Sequence, residues 1–231
     1  MRLGPDLSHR SREPELLDAD CRPDDAIKSL ADLRFVNRWL SARRRLLRAI
    51  APHLPPGGRL LDVGCGSGDV TAYLKARLAA GARGLDARAV LAVGLDRKPL
   101  HLRHAPPGLA RVAGDVRQLP FPDRSFDVVT ASLFLHHFEE KELGRLLGEL
   151  ARLARRAIVV SDLERALVPH AFARAVFPLV FETRMSVHDG LVSIRRGFRE
   201  SELAAAFAAA GLAVRIRRLF PYRLLAVAAL A

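Results

Sequence analysis

Leu60-Leu61-Asp62-Val63-Gly64-Cys65-Gly66-Ser67-Gly68 is the stretch whose reading decides the fold. The apolar run 59–63 enters alternating glycines, and residues 69–78 then follow helix spacing. Strand, glycine loop and helix in succession form a ligand cradle. Glycine admits positive φ and a close ligand approach, and a helix N-terminus offers free N–H groups and a positive dipole end. The dinucleotide fingerprint places glycines at the first, third and sixth positions. Here they fall at the first, third and fifth, and the sixth position is Asp69. That acid suits a ligand carrying positive charge better than a pyrophosphate.

Working outward, the apolar runs 90–95, 109–113, 126–131 and 157–161 predict four more strands. The segments 139–152 and 200–210 predict helices, the second closed by Gly211, and 212–216 with 222–228 predict a terminal strand pair. Upstream, Ile27, Leu30, Leu33, Val36, Leu40, Leu46, Leu47 and Ile50 recur at helical spacing until the Pro55-Pro56-Gly57-Gly58 stop. Residues 1–23 read as a loose arm, and 162–198 as irregular. Alternating strands and helices predict a parallel sheet with right-handed crossovers. Asp62 lies at the end of the first predicted strand, Asp96 ends the second, and Asp115 follows the third, all on the carboxyl edge where open α/β sheets bind ligands. There Asp96 would accept from both ribose hydroxyls, and Asp115 would take the exocyclic amine of an adenine. Singly, each acid reads more readily as a turn or cap residue, and it is three of them on one sheet edge that point to a ligand.

The chain has 231 residues, half of them hydrophobic, enough for one well-cored α/β domain. Its apolar stretches 203–214 and 224–231 are too short to span a bilayer, and the polar N-terminus lacks the apolar segment of a signal peptide. A cytoplasmic protein is expected. Cys21 and Cys65 give neither a disulfide framework nor a zinc cluster, and no metal is expected. The net charge is +12, yet only four of the 37 basic residues are lysine. The arginines are spread out, clustering only at Arg43–Arg45 and at Arg215, Arg217 and Arg218, with no interleaved aromatics to stack bases. Nucleic acid is therefore not the expected partner; a small-molecule acceptor and a homodimer are.

The constellation resembles the class I S-adenosylmethionine-dependent methyltransferases over residues 58–165. Asp62 to Gly68 is similar to their first motif, D/E-x-G-x-G-x-G. Val93-Gly94-Leu95-Asp96 is similar to the ribose motif, Gly114 to Phe121 to the adenine motif and its LPF turn, and Ser125 to Val129 to the fourth strand. The resemblance implies a doubly wound, Rossmann-like sheet of seven strands, the last antiparallel, here with an N-terminal helical extension. It implies S-adenosylmethionine as cofactor, held by Asp62, Gly64, Cys65, Gly66, Gly68, Asp96, Arg97, Asp115, Val116 and Ser132. It divides the chain into an arm and helical lid, 1–56, and a catalytic domain, 57–231, with 161–198 forming the acceptor pocket.

Ala131 to Phe138 follows the fourth strand, at the active-site mouth of relatives, and lacks the Asn/Asp-Pro-Pro-Tyr of amino methyltransferases. Its Leu-His-His is similar to that of quinone and small-molecule enzymes. Phe172, Phe177, Phe181 and Met185 beside ionisable groups suit a phenolic or polyketide-like acceptor. His136, His137 and His188 are the candidate bases, the last with Asp189 as its orienting neighbour. Packing for the first pair, and a surface turn at Asp189-Gly190, are the alternatives. The stretches 15–18, 43–45 and 188–198 are similar to a bacterial subgroup found with polyketide synthases. O-methylation is the leading expectation. C-methylation of a quinone precursor comes second, and an RNA-binding methyltransferase or binding module a distant third.

Overall fold

The computed structural model describes residues 5–19, 21–39, 42–81 and 89–230. Two helices, α1 (Pro23–Trp39) and α2 (Ala42–Ile50), precede the sheet. There follow β1 (Arg59–Val63), α3 (Asp69–Ala79), β2 (Leu91–Asp96), the short α4 (Pro99–Arg103), β3 (Ala110–Ala113) and β4 (Phe126–Ser132). Then come α5 (Glu140–Leu153), β5 (Ala154–Leu163), α6 (Leu167–Val180), α7 (Arg184–Arg196), α8 (Glu200–Ala209), β6 (Arg215–Leu219) and β7 (Arg223–Ala229).

The seven strands lie in the order β3-β2-β1-β4-β5-β7-β6. The first five are parallel, and β7 is antiparallel to both of its neighbours. This is the expected doubly wound sheet with its reversed final strand. Successive residues of the central strands are buried on opposite faces, which is why these strands read as unbroken apolar runs. Leu60, Val128 and Val159 pack with Leu46 and Ile50 of α2 and Leu74 and Leu78 of α3. Leu61, Val129 and Ile158 pack on the other face with the leucines of α5 and with Leu203 and Phe207 of α8. The strand order reverses between β1 and β4, and it is there that a crevice opens at the carboxyl edge.

Three sequence expectations are corrected. The single helical pattern over 24–50 is two helices, and Leu40 lies outside the described residues. The segment 162–198 is not irregular, since α6 and α7 fill most of it. In α6 the apolar residues do not form one stripe: Leu167, Val168, Phe172 and Leu179 are exposed, and Pro178 lies inside the helix. α7 starts at a Thr183 N-cap, whose hydroxyl accepts from the Ser186 N–H at 2.9 Å. Asp189-Gly190 therefore sits inside a helix, not in a turn.

The third correction is the arm. Residues 5–19 are docked by side chains that satisfy their backbone. Asp189 accepts the N–H groups of Leu16 and Leu17, both at 2.8 Å. Arg165 reaches the carbonyl of Leu7 and Arg196 that of Glu13. Arg10 stacks on Phe198 and donates to the carbonyls of Arg196, His136 and Phe138. Lys98, just past β2, donates to the carbonyls of Leu17 and Ala19. The arm thus runs from α7 to the end of β2, across the crevice.

Candidate active site

The glycine loop takes the conformation its residues permit. Gly64, Gly66 and Gly68 have φ of +68°, +55° and +66°. Their reasons differ. A Cβ on Gly64 would lie 2.0 Å from the Phe134 ring, and one on Gly68 2.6 Å from Leu109. A Cβ on Gly66 would meet only Leu30, at 3.9 Å. Gly66 therefore faces open space, as a backbone approached by a ligand does.

A cavity of about 820 Å³ covers this edge. Asp62, Gly64, Cys65, Gly66, Asp96, Arg97, Asp115, Val116 and Ser132 line it. Gly68 does not, and its constraint is the packing on Leu109. Asp96 accepts from the Gly66 N–H at 2.8 Å and the Lys98 N–H at 2.9 Å, so it ties the glycine loop to the end of β2. Burial would raise its pKa, but His101 and these two N–H groups hold it below the usual value. Asp115 caps the turn after β3 by accepting from the Arg117 N–H.

Asp62 and Asp69 behave oppositely to Asp96. Burial pushes Asp62 up to about 7; the Thr71 hydroxyl, donating at 2.5 Å, opposes this, while Asp69 and Asp96 add to it. Burial also raises Asp69, against Asn37 and the charge of Arg34. Two carboxylates whose pKa values desolvation raises, Asp62 buried and Asp69 half-buried, are stabilised by a cation brought beside them. That fits a ligand bearing a sulfonium and an ammonium.

The other half of the cavity lies under α6 and α7, walled by Phe172, Val176, Phe177 and Phe181. His136 and His137 face it from the turn after β4, where Leu133 takes a φ of +53°. His136 is buried, with Nδ1 2.7 Å from Asp162 and Nε2 3.3 Å from Glu15 of the arm. Burial alone would lower its pKa, but the two carboxylates push it up to about 9. With Nδ1 on Asp162 and Nε2 on Glu15, neither ring nitrogen of His136 is turned to an acceptor, and the two carboxylates favour its charged form, which argues against it as the general base.

His137 stacks on His136 at 4.3 Å between ring centres. Its Nδ1 is 2.7 Å from Asp18 and its Nε2 3.9 Å from Glu15. Burial opposes ionisation of Asp18, but the bond to His137 holds that carboxyl at about 2. His188 lies off the cavity wall, its Nε2 on Glu13 and its Nδ1 on Asp189. Asp189 orients the arm, and His188 is withdrawn as a candidate base. Glu15 and Asp18 were not visible in the sequence as site residues. They reach the site across more than a hundred residues of chain, and no local spacing signals that.

Residues 61–160 match the family described as Methyltransferase domain. That match spans under half of the chain, and over it the chain is similar to methyltransferase domains. Among curated relatives, a demethylmenaquinone methyltransferase of Roseiflexus sp. (strain RS-1) is 31% identical over 156 residues, 65% of this chain and 59% of the relative. The ubiquinone/menaquinone biosynthesis C-methyltransferase UbiE of Xanthomonas campestris pv. campestris is 34% identical over 158 residues, 64% and 60%. The chain thus spans about three fifths of the length of these relatives. A SAM-dependent methyltransferase from Aquifex aeolicus superposes with a TM-score of 0.65 at 17% identity, over 92% of this chain and all of that one. A magnesium protoporphyrin IX methyltransferase from Synechocystis PCC 6803 with bound SAH gives 0.52 at 18% identity, covering 93% and 91%. At such identities these two show the fold. Among the described residues, no helix is long and apolar enough to cross a membrane.

Proposed function

We propose that this chain is an S-adenosylmethionine-dependent methyltransferase that methylates a small hydroxylated aromatic acceptor, with a ring carbon of a quinol precursor favoured over an oxygen. The observation that carries the reading is one continuous cavity, joining the glycine-loop acids to a phenylalanine-walled chamber. The preference for carbon rests on the relatives named as quinone C-methyltransferases. Oxygen is the second reading, supported by the carboxylate–histidine wall, which suits removal of a hydroxyl proton. A polyketide-like acceptor belongs to that second reading.

Asp62, Gly64, Gly66, Asp96, Arg97, Asp115, Val116 and Ser132, with the Cys65 backbone, would hold the cofactor. When bound, S-adenosylmethionine supplies an electrophilic methyl carbon: the acceptor's electron pair takes that carbon, and the C–S pair returns to sulfur. The chain's part is to place the acceptor in line, which supplies much of such a rate. Loss of a hydroxyl proton enriches either the oxygen or the neighbouring ring carbon. Glu15 and His137 form the side of the wall where that proton leaves. In this reading residues 1–56 are an arm and lid, residues 57–231 the catalytic domain, and 161–198 the acceptor pocket.

The test is methylation of a panel comprising a naphthoquinol and neutral and acidic phenols, with product analysis separating C–CH₃ from O–CH₃. The expected product is C-methylated quinol. An enzyme that binds S-adenosylhomocysteine yet methylates none of them overturns the acceptor assignment.

A further inference from the structure

Glu15, His136 and His137 place three ligand atoms within 4.8 Å of one another on the cavity wall. Nε2 of His136 faces one oxygen of the Glu15 carboxylate at 3.3 Å, and Nε2 of His137 faces the other at 3.9 Å. Two imidazole nitrogens and a carboxylate around one point are the ligand set of a three-residue metal site with an open position. Four ligands around a first-row ion stand roughly 3.3 Å apart, from bonds of about 2.0–2.1 Å. Closing the present spacing to that value needs small rotations of His137, which is part-exposed.

The surroundings are those of a built site. Each histidine has its other ring nitrogen on a carboxylate at 2.7 Å: His136 on Asp162, and His137 on Asp18. Carboxylate backing of this kind fixes the ring and raises its basicity toward a metal. The Ser193 hydroxyl donates to Glu15 at 2.7 Å and so orients the third ligand. Three carboxylates converge on two imidazoles, and the local charge favours a dication.

We propose that Glu15, His136 and His137 bind a divalent first-row transition ion whose open position faces the acceptor chamber. Two imidazoles select the manganese-to-zinc series over magnesium and calcium. The imidazole protons displaced by the metal pass to solvent. An acceptor hydroxyl that takes the open position likewise loses its proton to solvent, and its oxygen stays on the metal as the anion. This catalytic consequence rests on the methyltransferase reading above; the binding site does not. Since Glu15 comes from the arm, the ion would also tie the arm to the sheet edge.

The test titrates cobalt(II) alone into the chelator-stripped full chain, read by calorimetry and by the visible absorption of the ion. One equivalent should bind with the bands of nitrogen ligation. Glu15→Gln and His137→Ala should abolish this site, and Asp18→Asn should weaken it about 10–100-fold. His104→Ala, which alters an exposed histidine off the cavity, should leave it unchanged. Circular dichroism and S-adenosylhomocysteine affinity show that each variant is folded. Failure to bind cobalt, or equal binding by Glu15→Gln, overturns the metal site and leaves the methyltransferase reading standing. Failure of the parent to bind S-adenosylhomocysteine strikes that reading and not the metal site.

Discussion

Asp62 shows how one buried carboxyl connects fold, stability and ligand. Its pKa in the folded chain is pushed up to about 7 by burial, against 3.8 for the free group. A raised acid binds more protons folded than unfolded, so its contribution to stability is present below about pH 4 and is lost as pH rises to about 7. Asp62→Asn keeps an acceptor for Thr71 and removes the charge. We expect the variant and parent to be equally stable at pH 4. At pH 8 the variant should be more stable by on the order of 4 kcal/mol, since each tenfold difference in proton affinity is worth roughly 1.4 kcal/mol. Thermal unfolding across that range checks it; a constant difference contradicts it. The parent's affinity for S-adenosylmethionine should rise over the same interval, because a cation favours the ionised acid. Asp62, Asp96 and Asp115 were legible because each stands at the end of, or just after, an apolar run. Glu15 and Asp18 were not, because only tertiary docking makes them neighbours of His136 and His137.

At the scale of elements, the strands were readable because both faces of the sheet are covered, leaving runs such as Leu60-Leu61 and Val128-Val129 wholly apolar. α6 and α7 hid themselves for different reasons. The apolar residues of α6 face both the cavity and solvent, so no stripe marks a core side. In α7 the pair Asp189-Gly190 imitates a turn. The structure gives Asp189 another task, since it accepts two arm N–H groups. A buried N–H left unpaired costs roughly 1–3 kcal/mol. Asp189→Ala should therefore release the arm without unfolding the sheet. Tryptic cleavage after Arg12 should accelerate at least about tenfold while the remainder of the chain survives, as read by mass spectrometry. Cleavage at the parent's rate contradicts the assignment of Asp189 as the arm's anchor.

Across the whole molecule, the charge of +12 has structural uses that its distribution only hinted at. Arg10, Arg165 and Arg196 donate to backbone carbonyls that join arm, α7 and the turn after β4. Arg43 stacks on Tyr73. Arg215, Arg217 and Arg218 lie along β6, the exposed edge strand, where charge discourages pairing with another chain. Among the described residues, Glu15, Leu17 and Asp18 of the arm border a cavity over an acid-lined glycine loop. The central claim is that this edge holds S-adenosylmethionine. Calorimetric titration of S-adenosylhomocysteine into the full chain, beside Asp96→Ala and Gly66→Val, tests it most directly. The parent should bind one equivalent, Asp96→Ala should lose about 1.5–3 kcal/mol of that affinity, and Gly66→Val, which puts a side chain in the cavity and strains the left-handed loop, should not bind while circular dichroism shows the sheet intact. No binding by the parent, or equal binding by all three, would contradict it.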